Sequence, residues 1–415
     1  MGTALCSYVG RARDLATPGR AEDLVGPESV PRPLIAPRTP ASLPPSSKNR
    51  IPMASSTVPL DPFGPTAARR HGGPTARPRT LTVDLHNHLR ITAADEFVKP
   101  FLPQEGANTA YRYSNPRSRE IYDRIHASRV QEWTDVDTRL AAMDRMRIDV
   151  MAVSCLPTQF FYMVEPDAGR EVSRIINDGI AARIAPHGRR LLGLGTVPLQ
   201  DTTSAIEELD RCVAELGFRG IQIGARVVDE ELSAERFEPF WSRCEELDVA
   251  IFLHPSSFAS PRLARHHLAN VIGNPLDTTI AVHYLIFDGV MARHPGLKIY
   301  LSHGGAFAAA YGARMDHAFG VRPDCRDHIE ELPSTYLKRF YVDTLVFAPD
   351  QLAYLVSKFG ADHVVLGTDY PADMADSDPV ELVYQVAGLS ESDREKLCGL
   401  NALALLNLDE QTFRS

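Results

Sequence analysis

From residue 81 onward, short apolar and β-branched runs alternate with longer stretches of helical periodicity. The runs are Leu81–Leu85, Val150–Cys155, Leu191–Val197, Gly220–Ile223, Val249–Leu253, Leu297–Leu301, Phe340–Asp343 and Val364–Leu366. Apolar runs without in–out alternation belong to strands buried on both faces, as in a parallel sheet. Between them, Thr138–Arg147, Asp167–Ala185, Thr203–Leu216, Ala234–Leu247, Thr278–His294 and Asp350–Phe359 read as helices that cross back over the sheet. Eight such strands with crossover helices predict an α/β fold, a (β/α)8 TIM barrel. The longest interval, residues 89–137, is rich in Tyr, Arg and Asn and predicts a cap over the barrel mouth.

Composition changes the picture only at the N-terminus. Residues 1–80 hold 14 of the 31 prolines and carry 11 Lys and Arg against 5 Asp and Glu. Such a segment cannot bury enough apolar surface to fold, so residues 1–79 are expected to be a disordered Pro/Arg-rich extension and 80–415 the barrel. A transit peptide fits poorly, because proline is too frequent for an amphipathic helix; Met53 could serve as an internal start. The whole chain has a formal charge of −9 although this segment is basic, so the barrel is acidic. That argues against nucleic acid as a partner. The sequence has no apolar run long enough to span a membrane. The six cysteines form no C-x-x-C pair, which suggests a reducing, cytoplasmic setting.

The chemistry lies at the ends of the runs. TIM barrels place their active sites at the C-terminal ends of the strands. The first run leads into Asp84-Leu85-His86-Asn87-His88, where two histidines two residues apart point the same way on a strand. The fifth ends in His254-Pro255, the sixth in Ser302-His303-Gly304-Gly305, and the eighth in Gly367-Thr368-Asp369-Tyr370-Pro371. Three imidazoles and one carboxylate make a mononuclear site for a borderline divalent ion with one position open to water. His86, His88, His254 and Asp369 are the expected ligands. The fourth run ends in no ligand, which argues against a second metal ion. His303 is the expected base for a metal-bound water, with Asp369 beside it in the reaction. His266, His267 and His283 read as surface or core histidines.

These motifs resemble the amidohydrolase superfamily, and within it the branch named for aminocarboxymuconate-semialdehyde decarboxylase. Val197-Pro198-Leu199-Gln200-Asp201, Arg219-Gly220-Ile221-Gln222-Ile223-Gly224, Phe340-Tyr341-Val342-Asp343 and Gly399-Leu400-Asn401-Ala402 extend the resemblance from residue 81 to the C-terminus. The resemblance implies zinc at His86, His88, His254 and Asp369, with manganese as the alternative, and a water-activating role for His303. It implies a homodimer in which Arg314 reaches the substrate carboxylate of the neighbouring subunit, and a second substrate-binding arginine at Arg129. For either arginine the alternative is a solvated helix charge. Ser256-Ser257 stands where that decarboxylase carries tryptophan, so the pocket wall differs and the substrate with it.

The implied reaction is non-oxidative decarboxylation of a small aromatic or muconate-type carboxylic acid. A hydrolase or hydratase, with a lactone, amide or enoic acid as substrate, could run on the same residues. Carbon dioxide release separates the first from the second.

Overall fold

The computed structural model describes residues 77–103, 108–256 and 258–414. The extension expected over residues 1–79 therefore lies outside the described residues, apart from its last three.

Eight parallel strands form the barrel: β1 (Val83–Asp84), β2 (Val150–Cys155), β3 (Leu191–Thr196), β4 (Gly220–Gly224), β5 (Ala250–His254), β6 (Lys298–Leu301), β7 (Tyr341–Asp343) and β8 (Val364–Val365). Each pairs with the next in sequence order from β1 to β8. The ring is completed by backbone bonds rather than a full ladder: Leu85 N donates to Leu366 O at 2.9 Å and His88 N to Tyr370 O at 2.8 Å. The TIM barrel expected from the eight runs is the fold observed.

Period-two alternation sorts the strand residues between two cores. In β5, Ala250 and Phe252 join the cluster inside the barrel, while Ile251 and Leu253 join the cluster under the helices. His254 follows in the inward register and so reaches the barrel mouth. Below it, Phe252 stacks on Tyr300 with ring centroids 4.6 Å apart and meets His86 edge-on at 4.9 Å, forming an apolar floor. Glycine is required at residue 367, where β8 passes β1 and β7. A Cβ there would stand 2.9 Å from the Cβ atoms of both His86 and Asp343.

Helix ends differ from expectation for local reasons. The helix expected over Thr278–His294 starts earlier, at Asn274–Phe287, and breaks before Val290–Arg293. The break is at Gly289, whose φ of 78° is left-handed. Residues 89–137 fold as the short strand His88–Leu89 runs out, into helices Thr92–Val98, Thr109–Tyr113, Pro116–Ser128 and Val130–Thr134. Among the described residues no helix is long and apolar enough to cross a membrane.

Candidate metal centre and active site

Four strand ends deliver side chains to one point. His86 and His88 follow β1, His254 ends β5, and Asp369 follows β8. One donor atom from each lies within 4.8 Å of the others, and all four residues are buried. His86 Nε2 and His88 Nε2 lie 3.4 and 3.2 Å from Asp369 Oδ1. Neither nitrogen has a hydrogen-bond partner, although both are buried.

The far side of each ring explains why. Nδ1 of His86 bonds to Asp343 Oδ2 at 2.6 Å. Nδ1 of His88 lies 3.0 Å from the Cys155 carbonyl, and Nδ1 of His254 3.0 Å from the Pro255 carbonyl. Carbonyl oxygens only accept, so those Nδ1 atoms carry the proton and each Nε2 keeps a lone pair. Burial pushes His88 and His254 toward the neutral form, His254 well below the ordinary histidine range. His86 also loses charge through burial, but Asp369 and Asp343 overcome this and raise it to about 10. Burial alone would raise the Asp369 carboxyl; His86, His303 and His88 hold it well below the usual range. Buried lone pairs and a buried carboxylate around one point are the donor set of a divalent cation.

His303 stands at the edge of this centre. Its Nε2 is 3.8 Å from Asp369 Oδ2. Its side chain is 17 % exposed, against 0, 2 and 7 % for His86, His88 and Asp369, so it faces the cavity rather than the closed centre. Both His303 and Asp369 adopt left-handed backbone, with φ of 56° and 58°. Such strain in non-glycine residues collects at functional sites. Gly304 and Gly305, at 64° and 69°, continue the turn behind His303.

Sequence reasoning gave Asp343 no role. The structure makes it the hub of the centre. Its Oδ2 accepts from His86 Nδ1 and from His303 N at 2.9 Å; its Oδ1 accepts from Gly304 N at 2.7 Å and Leu345 N at 3.0 Å. Burial would raise its pKa, yet the His86 bond and the nearby histidines lower it. One carboxylate thus orients a ligand and fixes the His303 turn. The available signal was its position at the C-terminal end of the seventh run, on the same face as the other residues. Asp343→Asn is expected to weaken metal affinity by roughly 10- to 100-fold, the usual cost of losing an outer-sphere partner. Titration with a competing chelator checks this, and unchanged affinity would remove Asp343 from the support of the site.

Above the centre lies a cavity of about 430 Å³, within the usual size range of small-ligand sites. Its cap wall is a chain of aromatic rings. Tyr111 meets Tyr122 at 5.5 Å, Tyr122 meets His126 at 5.2 Å, and His126 stacks on Trp133 at 5.5 Å. On another wall Phe160 and Tyr162 stack at 5.5 Å. Arg129 lines the cavity, with Nη1 donating to Pro371 O at 3.1 Å and Ala372 O at 2.8 Å. Arg314 is not brought to this cavity; it is exposed on helix Ala308–Val321. His267, read from sequence as a surface or core residue, lines the mouth 3.7 Å from Asp373. β4 contributes no ligand: its central polar residue, Gln222, is buried inside the barrel.

A parallel barrel carrying three histidines and an aspartate on its C-terminal rim defines a metal-dependent barrel enzyme. Residues 83–408 match the amidohydrolase family, and the chain belongs to that family, in its aminocarboxymuconate-semialdehyde decarboxylase-like branch. It is 32% identical over 350 residues to 2-amino-3-carboxymuconate-6-semialdehyde decarboxylase of Dictyostelium discoideum, covering 81% of this chain and 94% of the relative. It is 30% identical over 290 residues to gamma-resorcylate decarboxylase of Rhodococcus jostii, covering 66% of this chain and 88% of that one. The crystal structure of 2,6-dihydroxybenzoate decarboxylase with bound 2,6-dihydroxybenzoate matches with a TM-score of 0.66 at 25% identity, covering 79% of this chain and all of that one. All three relatives are carboxy-lyases.

Proposed function

We propose that the protein is a metal-dependent, non-oxidative decarboxylase of a planar aromatic or muconate-type carboxylic acid. The observation that carries this reading is a buried His–His–His–Asp donor set with His303 at its edge, opening into a cavity walled by aromatic rings. Flat aromatic walls favour a flat, conjugated substrate. The decarboxylase names of the relatives favour carboxyl loss over hydrolysis.

His86, His88, His254 and Asp369 would hold the ion, zinc by donor type with manganese as the alternative. When bound, the ion supplies positive charge beside the substrate's oxygens. Arg129 supplies a second cation on the cavity wall. His303 passes a proton to the carbon bearing the carboxylate. The bond from that carbon to the carboxylate then breaks, its electron pair restores the conjugated system, and carbon dioxide leaves. The cap rings keep water from the reacting carbon. Turnover in deuterium oxide tests this directly: one deuterium should appear on the carbon that lost its carboxylate. A product that retains its carboxylate and gains one water would favour the hydrolase or hydratase, a hydratase also leaving deuterium on carbon.

We further assign a homodimer with Arg314 entering the partner's cavity. Arg314 and Tyr311 are exposed one turn apart on helix Ala308–Val321, Tyr311 by 50%. Mixing inactive His303→Ala and Arg314→Ala subunits should restore part of the activity, because one hybrid site regains both residues. No recovery in verified heterodimers would show self-contained subunits. The five described cysteines are unpaired and four of them buried, which supports a cytoplasmic setting.

A further inference from the structure

The wall across the barrel from Arg129 carries donors that the proposed reaction leaves unused. Arg129 sits on the β8–β1 side, bonded to carbonyls of the loop after β8. In a ring of eight strands β4 and β5 lie opposite. There Arg226, two residues past β4, and Ser256, two residues past β5, both line the cavity.

One buried carboxylate clasps the two. Asp277 Oδ1 lies 3.4 Å from Arg226 Nε, and Asp277 Oδ2 accepts from Ser256 N at 2.8 Å. Asp277 is 3 % exposed, so this is a built support rather than a surface ion pair. Arg226 Nη1 donates to Val228 O and lies 3.8 Å from the fully exposed Asp229. Among the described residues Nη2 has no hydrogen-bond partner. The Ser256 hydroxyl is buried and equally unpartnered. A Cβ on Gly224 would come 2.4 Å from Ser256 Oγ, so the glycine leaves room for that hydroxyl. A part-exposed guanidinium fork on the cavity wall, held from behind by a buried carboxylate, is complementary to a carboxylate or another oxygen acceptor.

The geometry points to Arg226, held by Asp277, as a second acceptor-binding subsite, which selects planar acids carrying a further anionic or oxygen-acceptor group at the end away from Arg129. This rests on the site being the substrate site of the proposed decarboxylase and names a feature of its substrate. Asp277 acts as a positioning residue that orients the fork.

Isothermal titration of the manganese-loaded full chain with benzoate, isophthalate and terephthalate tests the subsite without turnover. At least one diacid should bind about 10- to 100-fold tighter than benzoate, the range of a charge-assisted hydrogen bond. In Arg226→Gln that preference should fall to within about twofold while benzoate affinity stays unchanged. Arg226→Gln alone leaves a buried carboxylate unpaired, so Arg226→Gln/Asp277→Asn, which removes both charges, is measured beside it and should lose the preference too. A preference that survives in the folded variants, equal weakening of all three ligands, or no preference in the wild type overturns the subsite. Failure of the decarboxylase reading reads out separately, as the absence of carbon dioxide from every acid with the diacid preference intact.

Discussion

Replacing His303 with alanine is expected to lower turnover by roughly 10²- to 10⁴-fold, the range of a positioned general acid or base, while the bound metal stays at wild-type stoichiometry. The two halves of that result come from different parts of the geometry. His303 Nε2 is 3.8 Å from Asp369, and its ring is the more exposed one, facing the cavity. Its loss leaves the four donors of the centre in place. Steady-state rates with metal analysis of the same sample check the prediction. Turnover above about a tenth of wild type would remove His303 from proton transfer.

Asp369→Ala is expected to act in the opposite order, with metal lost first and activity lost as a consequence. Asp369 is the only anion among the four donors, and it lies within 3.4 Å of two ligand nitrogens. Without it, the centre loses its only directly donating anion, and the remaining carboxylate, Asp343, acts only through His86. Affinity should fall by more than the roughly 100-fold upper range of outer-sphere changes, and turnover should fall below detection at sub-stoichiometric metal. Saturating metal should restore little activity, because the His303 partner is missing as well. An Asp369→Ala protein that retains one tightly held ion would take Asp369 out of the ligand set.

The strands were legible because a buried parallel strand is apolar on both faces, and the first, fifth, sixth and eighth runs lead into polar residues at the barrel mouth. Val150–Cys155 coincides with β2, and the other runs match their strands to within two residues at either end. The ligand positions were legible from the same pattern: His86, His88, His254 and Asp369 each follow closely on the C-terminal end of such a run. Asp343 also ends a run, the seventh, but its role was not legible, because its partner His86 is 257 positions away and only the closed ring brings them together. The pairing of Arg226 with Asp277 was hidden in the same way, since it joins the loop after β4 to the helix after β5. Arg314, to which the family resemblance gives a substrate role in a neighbouring subunit, is exposed and does not line its own subunit's cavity. The break at Gly289 was missed because the apolar periodicity of Thr278–His294 continues through a residue whose backbone does not.

The central claim is carboxyl loss at a metal centre. It is tested most directly by offering metal-stripped and zinc- or manganese-restored protein a panel of hydroxybenzoates, benzene diacids, muconate-type acids and lactones, with gas release and product mass recorded together. The predicted result is one carbon dioxide per product from at least one planar acid, absent after stripping and regained with metal. A product heavier by one water with no gas, or carbon dioxide release unaffected by stripping, would contradict it.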